Sequence, residues 1–482
     1  MSSDFSKRTA SVLGSGVLTL LAWSACALAK PLPERHAVAI TDVTVIDVEH
    51  GRSTAPRTVL VDDGRIVSIV APSEAHIPSN AQRVDGRGRF LIPGLVDMHV
   101  HLFNTYSHRP PNDWSFPLFI ANGVTAVREM NADPASIARV QQWRKDLDRG
   151  ELVAPHIVAA GVSVHGNSPD DAAHQVDAAA DAGADFIKVF SEVPFSHWRA
   201  ILDAARARSL PVVGHVPAGV PLLIAASAGQ RSNEHLMQAV EACSSVEAAL
   251  LDERRDLQDD ALMARVDAQE ARAFDALDAG ICQHVARALA VSGQVQVPTL
   301  VLAYEESARS GKPPNDDPRW RYLRADERTR WQRILAGGSR NDLALAKRRW
   351  QEARQIVSAF HHADVTILAG TDTPMPAIYP GFSLHEELAL LVESGLTPRE
   401  ALRSATLAPA EFLGTAATTG SVAPGLRADL VLLDADPTRD IRNTRRIRAV
   451  LLDGRLLRRA DLDALLEEAA RTPPTQPGGT QG

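Results

Sequence analysis

The sequence predicts an α/β fold: a (β/α)8 TIM barrel with a small β-sandwich domain built from both ends of the chain. Three observations predict it. Eight short apolar runs alternate with amphipathic or alanine-rich stretches through the middle of the chain, the pattern of parallel strands joined by crossover helices. β-Branched runs punctuated by Asp-Gly turns stand before that region and return after it. The central runs end in histidine, lysine or aspartate, and a barrel carries its chemistry at the carboxyl ends of its strands.

Residues 1–29 read as a secretory signal. Lys7 and Arg8 make a positive start, a mostly apolar stretch follows, and Ala27-Leu28-Ala29 offers a small-x-small cleavage site. The stretch is too short to span a bilayer. The mature chain is therefore expected to be exported, periplasmic or secreted, with no integral membrane span. Two variants stay open: Trp23-Ser24-Ala25-Cys26 faintly resembles a lipoprotein box that would anchor Cys26, and Lys7-Arg8 is a weak twin-arginine stand-in.

Residues 30–92 form the N-terminal part of the β-domain. Val43-Thr-Val-Ile-Asp-Val48, Thr58-Val-Leu-Val61 and Ile66-Val-Ser-Ile-Val70 are strand-like, and Asp62-Asp63-Gly64 signals a hairpin. Residues 413–460 form its C-terminal part. There Ala428-Asp-Leu-Val-Leu-Leu433 and Arg448-Ala-Val-Leu-Leu452 read as strands, with Asp453-Gly454 as a turn. Between them, residues 93–412 form the barrel. Its expected strands are 95–100, 124–128, 157–161, 186–190, 212–215, 233–235, 297–300 and 365–372, with helices at 135–147, 198–208 and 398–406. Thr397 and Pro398 suit an N-cap and first turn. Long helical insertions at 237–295 and 302–363 suit either active-site walls or solvated hairpins. Residues 461–482 read as a helix and a disordered tail.

Composition narrows the function. The 482 residues are 45% hydrophobic and 23% charged, with a net charge of −8. No cationic patch for nucleic acid is visible, so the expected partner is a small-molecule substrate. A homo-oligomer stays open. Cys243 and Cys282 read as two buried free thiols, although an exported chain could pair them.

Chemistry is concentrated in a few residues. His99 and His101 sit two apart on a strand and so share one face. Lys188 lies within Phe186-Ile-Lys-Val-Phe190, where a lysine is costly unless neutralised or paired. His215 and His235 end their runs, and Asp372 ends Ile367-Leu-Ala-Gly-Thr-Asp372. Each alone has a plain structural reading; Asp372, for one, could simply cap a helix after Thr373-Pro374. Together they form a donor set for borderline divalent ions. His165, Tyr304 and Arg128 are candidates to face substrate, and Arg128 could equally pair with Glu129 or another acid.

The set resembles the metal-dependent amidohydrolase superfamily, in its binuclear form with a carboxylated lysine. The matching stretches run Pro93-Gly94-Leu95-Val96-Asp97-Met98-His99-Val100-His101, Gly370-Thr371-Asp372-Thr373-Pro374 and Pro424-Gly425-Leu426-Arg427-Ala428-Asp429-Leu430-Val431. Within it, Gly123-Val-Thr-Ala-Val-Arg128 is similar to the imidazolonepropionase-like and Xaa-Pro or Arg/Lys dipeptidase-like branch. Glu129 stands where that branch more usually has Asp. Lys188 argues against an imidazolonepropionase proper.

The resemblance implies two divalent ions, zinc by default. His99, His101, His215, His235 and Asp372 would ligate them, and carboxylated Lys188 would bridge them. It implies a shared hydroxide attacking an amide carbonyl, with Asp372 moving the proton. The expected activity is hydrolysis of a dipeptide, N-acyl amino acid or cyclic amide. A lactonase or esterase using the same site is the alternative, and a non-catalytic binding protein a further one.

Overall fold

A computed structural model describes residues 32–103, 109–309, 315–337 and 342–471. The expected signal at 1–29, with Lys7, Arg8 and Cys26, and the tail from 472 lie outside the described residues.

The β-domain is organised by one bent strand, Val38–Asp47. Asp42 adopts φ 56° where the pairing register with Arg57–Asp62 slips between Ile40 and Val43, a bulge that turns the strand. Its first half pairs with Arg57–Asp62 and, in parallel, with Gln82–Asp85. Its second half pairs with Phe90–Pro93. That strand receives Leu430–Leu433 from the other end of the chain, and Ile447–Leu452 and Arg455–Arg458 follow outward. Alternate residues, among them Val38, Ile40, Val59, Val61, Leu430, Leu432 and Leu451, fill a core of their own, as period-2 alternation requires. The two Asp-Gly turns meet. A Cβ on Gly454 would stand 2.6 Å from the Cα of Gly64, so glycine lets the two turns pack together.

Phe90–Pro93 runs on into the barrel. Gly94 donates its N–H to the Asp429 carbonyl at 2.8 Å, and the first barrel strand, Leu95–Val100, begins at the next residue. Parallel pairing then passes through Val124–Ala132, His156–Ser163, Phe186–Val189 and Val212–Gly214. Arg231 N–H donates to Val212 O at 2.7 Å, which joins the sixth strand, Ser232–Glu234, to the fifth. Val295–Val297 pairs with the sixth. The eighth segment holds the ring closed through isolated bridges, Gln296 to Ile367 and Val100 to Thr373. Strands buried on both faces explain their nearly unbroken apolar runs.

Asp429, from the Pro-Gly-x-x-Ala-Asp stretch, fastens the β-domain to the barrel. Its carboxylate pairs with Arg427, lies 3.3 Å from His156 Nε2, and accepts the Asp453 N–H at 2.8 Å.

Four expectations are corrected. The seventh strand is Val295–Val297, and Leu300 opens a helix, because Thr299 with φ 46° ends the extended run. The helix expected at 398–406 ends at Ser404, although its capping box forms, with Thr397 and Glu400 bonded reciprocally. Asp372 caps no helix; the next one, Phe382–Glu393, has Gly381 as its N-cap. Cys243 and Cys282 are joined in a disulfide, Cα atoms 4.2 Å apart. Helix Ala279–Ser292 folds back on the turn that ends helix Ala239–Ala242 and brings the two thiols together.

The two insertions are helical and bound to each other. Arg349, on helix Leu343–His362, grips both carboxylate oxygens of Glu270 in the first insertion at 2.6 and 2.7 Å. It also bonds Glu306 at 2.7 Å. Among the described residues no helix is long and apolar enough to cross a membrane.

Candidate metal centre

Three strand ends leave the ring through left-handed backbone. His235, Thr299 and Asp372 have φ of 58°, 46° and 63°. Such conformations are costly for residues other than glycine and gather at functional sites. Here they turn side chains from neighbouring strands toward one point.

His99, His101 and Asp372 have ligand atoms within 4.8 Å of one another. Asp372 Oδ1 lies 2.6 Å from His101 Nε2 and 3.2 Å from His99 Nε2. The His235 ring is 4.6 Å from that of His99 between centroids, and His215 is 5.0 Å from His235. Lys188 is wholly buried, with Nζ 4.8 Å from the centre of the Phe190 ring. The sequence-predicted donors are thus brought together. His99 is fully enclosed, whereas His101, His215 and His235 keep partial exposure, so the cluster opens to solvent on one side.

The electrostatics of these side chains suit a cation. Burial lowers the Lys188 ammonium to about 8, against the pull of Glu234 and Asp372. Burial also lowers His235 to about 3 and holds His215 well below its ordinary value, leaving neutral imidazoles. For Asp372, burial would raise the carboxyl, but the neighbouring His101 and His235 hold it well below the usual range. Three buried atoms here make no well-aligned hydrogen bond: His99 Nε2 and Asp372 Oδ1, which face each other at 3.2 Å, and Lys188 Nζ. Unsatisfied buried polar atoms are rare and costly, and a cation, with a lysine converted to a carbamate, would satisfy all three. The donor set therefore fits a metal.

Sequence reading missed the residues that aim these donors. His99 Nδ1 is 2.8 Å from Glu234 Oε2. His215 Nδ1 is 2.8 Å from Ser191 Oγ, and His235 Nδ1 is 2.7 Å from Thr299 Oγ1. Thr299 Oγ1 spends its own proton on the Pro298 carbonyl at 2.8 Å, so it accepts from Nδ1–H. The Nε2 lone pair of His235 is then left for a ligand, and fixing the tautomer this way is characteristic of metal-binding histidine. Asp97 accepts from Thr371 N–H at 3.0 Å and Thr371 Oγ1 at 2.7 Å, tying the first strand to the eighth. Burial raises its carboxyl to about 7. Glu234, next to His235 in sequence, was the one partner with a visible signal; Ser191 and Thr299 had none. Gly214 clears the space beside the lysine: at φ 119°, a Cβ there would lie 2.6 Å from Lys188 Cδ and 2.4 Å from the Val189 carbonyl.

The substrate-facing candidates separate. His165 follows the third strand, stacks on Phe190 at 5.3 Å and has Nδ1 3.5 Å from Glu192 Oε1. Since Phe190 also meets His215 at 5.0 Å, His165 adjoins the cluster. Tyr304 lies on helix Leu300–Arg309, exposed, with its ring edge-on to Trp350 at 5.5 Å. Arg128 follows the other reading the sequence left open, pairing with an acid. It is fully buried, bonds Glu234 at 2.9 and 3.1 Å and the Met98 carbonyl at 2.6 Å, and so braces the glutamate that holds His99. Glu129 is not its partner. That buried carboxyl accepts the N–H groups of Leu102 and, at 2.7 Å, Asn131.

A closed barrel with imidazoles and a carboxylate converging at the carboxyl ends of its strands defines a class, the barrel hydrolases with a metal-type centre. The amidohydrolase family model matches residues 90–457, and the chain belongs to that family. A dihydroorotase of Anaeromyxobacter dehalogenans is 25% identical over 81% of this chain and 88% of its own length. Other curated relatives are matched over only 17% and 22% of theirs. Among solved structures, the bottromycin amidohydrolase has a TM-score of 0.67 and 26% identity, covering 90% of each chain. A Xaa-Pro dipeptidase with bound methionine has a TM-score of 0.60 and 20% identity over 88% of this chain and 100% of that one, a likeness of fold.

Proposed function

We propose that this chain hydrolyses the amide bond of dipeptides, N-acyl amino acids or cyclic amides, at a centre of two divalent cations held by His99, His101, Lys188, His215, His235 and Asp372. The observation that carries the proposal is Lys188, a fully buried lysine whose Nζ makes no hydrogen bond to the protein. At about 8, a useful share of the amine is neutral near pH 7. Its lone pair can add to carbon dioxide, forming an N–C bond and losing one proton. The carbamate that results is an anionic, two-oxygen ligand suited to lie between two cations.

Two divalent cations, zinc by default, would supply Lewis acidity at the amide carbonyl and an acidified water. Asp372, ionised at the last strand's end, accepts the water's proton and returns it to the leaving nitrogen. His165, whose imidazole burial shifts below its ordinary value against the pull of Glu192, would hydrogen-bond the substrate. Glu234, Ser191 and Thr299 keep the imidazoles turned toward the reacting atoms. Export into an oxidising compartment is part of the same reading, and the Cys243–Cys282 bond supports it.

The test is a panel of dipeptides, N-acyl amino acids, cyclic amides and lactones given to metal-replete protein. Amide turnover, lost on chelation and regained with zinc, is the expected result. Turnover of lactones alone would move the assignment to an esterase, and turnover of nothing would remove it.

A further inference from the structure

The second insertion brings an arginine to the end of the eighth strand. Arg330 lies on helix Ala325–Gly337. Its Nη2 donates to the Pro374 carbonyl at 3.2 Å and lies 3.9 Å from Met375 Sδ. Pro374 is two residues beyond Asp372, so this guanidinium stands at the same end of the barrel as the candidate centre. Asp372 is among the charges that act on it.

Its charge is poorly matched. Nη1 is buried and makes no hydrogen bond. Glu327, the carboxylate paired with it, has Oε1 3.4 Å away, and that oxygen already accepts from Trp331 Nε1 at 2.8 Å. The other oxygen takes Arg109 at 2.6 Å. One wholly buried glutamate thus serves two guanidiniums. Arg319, nearby in sequence, shows what a purely structural arginine looks like: it is satisfied by Asp317 at 2.9 and 2.7 Å and by Glu386 at 2.6 Å. A guanidinium with a buried, unspent donor beside a reaction centre is suited to a carboxylate, which it meets with parallel N–H groups.

We propose that Arg330 binds a carboxylate of the substrate and so sets a preference for amides that carry a free carboxylate. This rests on the amide-hydrolase reading and names the side chain that selects among amides. The preference comes from an insertion helix, not from the strand ends that hold the catalytic donors.

The experiment compares Gly-Leu and N-acetyl-leucine with their C-terminal carboxamides, using the full-length metal-replete enzyme and the variants Arg330→Met, Arg330→Gln and Arg330→Lys. Glutamine retains a donor for the Pro374 carbonyl and guards against a merely unfolded methionine variant. The acid-to-amide ratio of kcat/KM should fall roughly 10- to 100-fold in the Met and Gln variants, the range for losing one charge-assisted hydrogen bond. The fall should come through KM, with part recovered by lysine. Equal losses on acid and carboxamide, or an unchanged ratio, would overturn the inference. Calorimetric binding of N-acetyl-leucine to the same proteins separates it from the reading beneath it. If no amide is turned over but binding weakens in Arg330→Gln, the carboxylate site stands and the hydrolase reading falls. If binding is the same in both proteins, the carboxylate site falls.

Discussion

His385 and His235 are both kept neutral by burial, each lowered to about 3, yet they are built for different ends. His385, on helix Phe382–Glu393, spends both ring nitrogens: Nδ1 is 2.9 Å from Thr444 Oγ1, and Nε2 is 3.0 Å from the Asn122 carbonyl. His235, at a strand end with left-handed backbone, spends only Nδ1, on Thr299. His99 and His215 follow His235: one nitrogen is tied to a side chain, and the rings crowd each other. A buried histidine with both nitrogens engaged is scaffold. One with a single nitrogen engaged is stable only if something takes the other. The difference lies in partners and in exposure, not in residue type: His385 is enclosed, whereas His235 keeps one side to solvent.

The comparison can be broken from either side. The largest effect is expected on the open side: Asp372→Asn should lower amide turnover roughly 10³-fold, within the range for losing a proton-transfer group, and Lys188→Ala, which removes a ligand of the cations that supply Lewis acidity, should lower it at least as much, in a steady-state assay. Next, Thr299→Val keeps the shape but removes the acceptor for His235 Nδ1. Metal affinity should fall about 10- to 100-fold, as for other partners of ligating histidines, read by chelator competition.

On the closed side, His385→Leu strands the Asn122 carbonyl, while the Thr444 hydroxyl keeps the Ile441 carbonyl at 2.8 Å. Stability should drop by about 1–3 kcal/mol for the unsatisfied carbonyl with metal content unchanged, by denaturant titration and elemental analysis. The pH dependence has a definite sign. His385 has a folded value of about 3 against an ordinary 6.5, so its contribution is full above pH 6.5 and is lost as pH falls toward 3. Wild-type stability should fall across that window more steeply than that of the leucine variant.

The smallest effect belongs to Glu387, whose carboxyl is raised by burial to about 8 from 4.5 while it accepts the Val301 N–H at 2.8 Å. Its stabilising share is full below pH 4.5 and is lost as pH rises through 8. The Tm advantage of Glu387→Gln should therefore grow from pH 5 to pH 9.

Much of this was legible in the sequence because it is local. Period-2 alternation and Asp-Gly turns marked the strands of the β-domain, and each donor stood at the end of an apolar run. What could not be read depends on contacts between distant segments. Thr299 and Ser191 meet histidines 64 and 24 residues away, and nothing in their own neighbourhood announces it. Cys243 and Cys282 looked like two ordinary buried thiols because their pairing depends on how a 39-residue stretch folds back. Arg128 could be read as facing substrate or as paired with an acid, because Glu234, its partner, is 106 positions on. The seventh strand was misplaced because Leu300 continues an apolar run that a left-handed threonine has already turned into a helix.

The central claim is that Lys188, buried and unpartnered, completes a centre for two cations. The most direct measurement is metal stoichiometry by elemental analysis after zinc and bicarbonate loading, for the wild type and Lys188→Ala. The account predicts about two divalent ions per chain in the wild type and at most one in the variant. Two ions held firmly without Lys188, or none held with it, would contradict it.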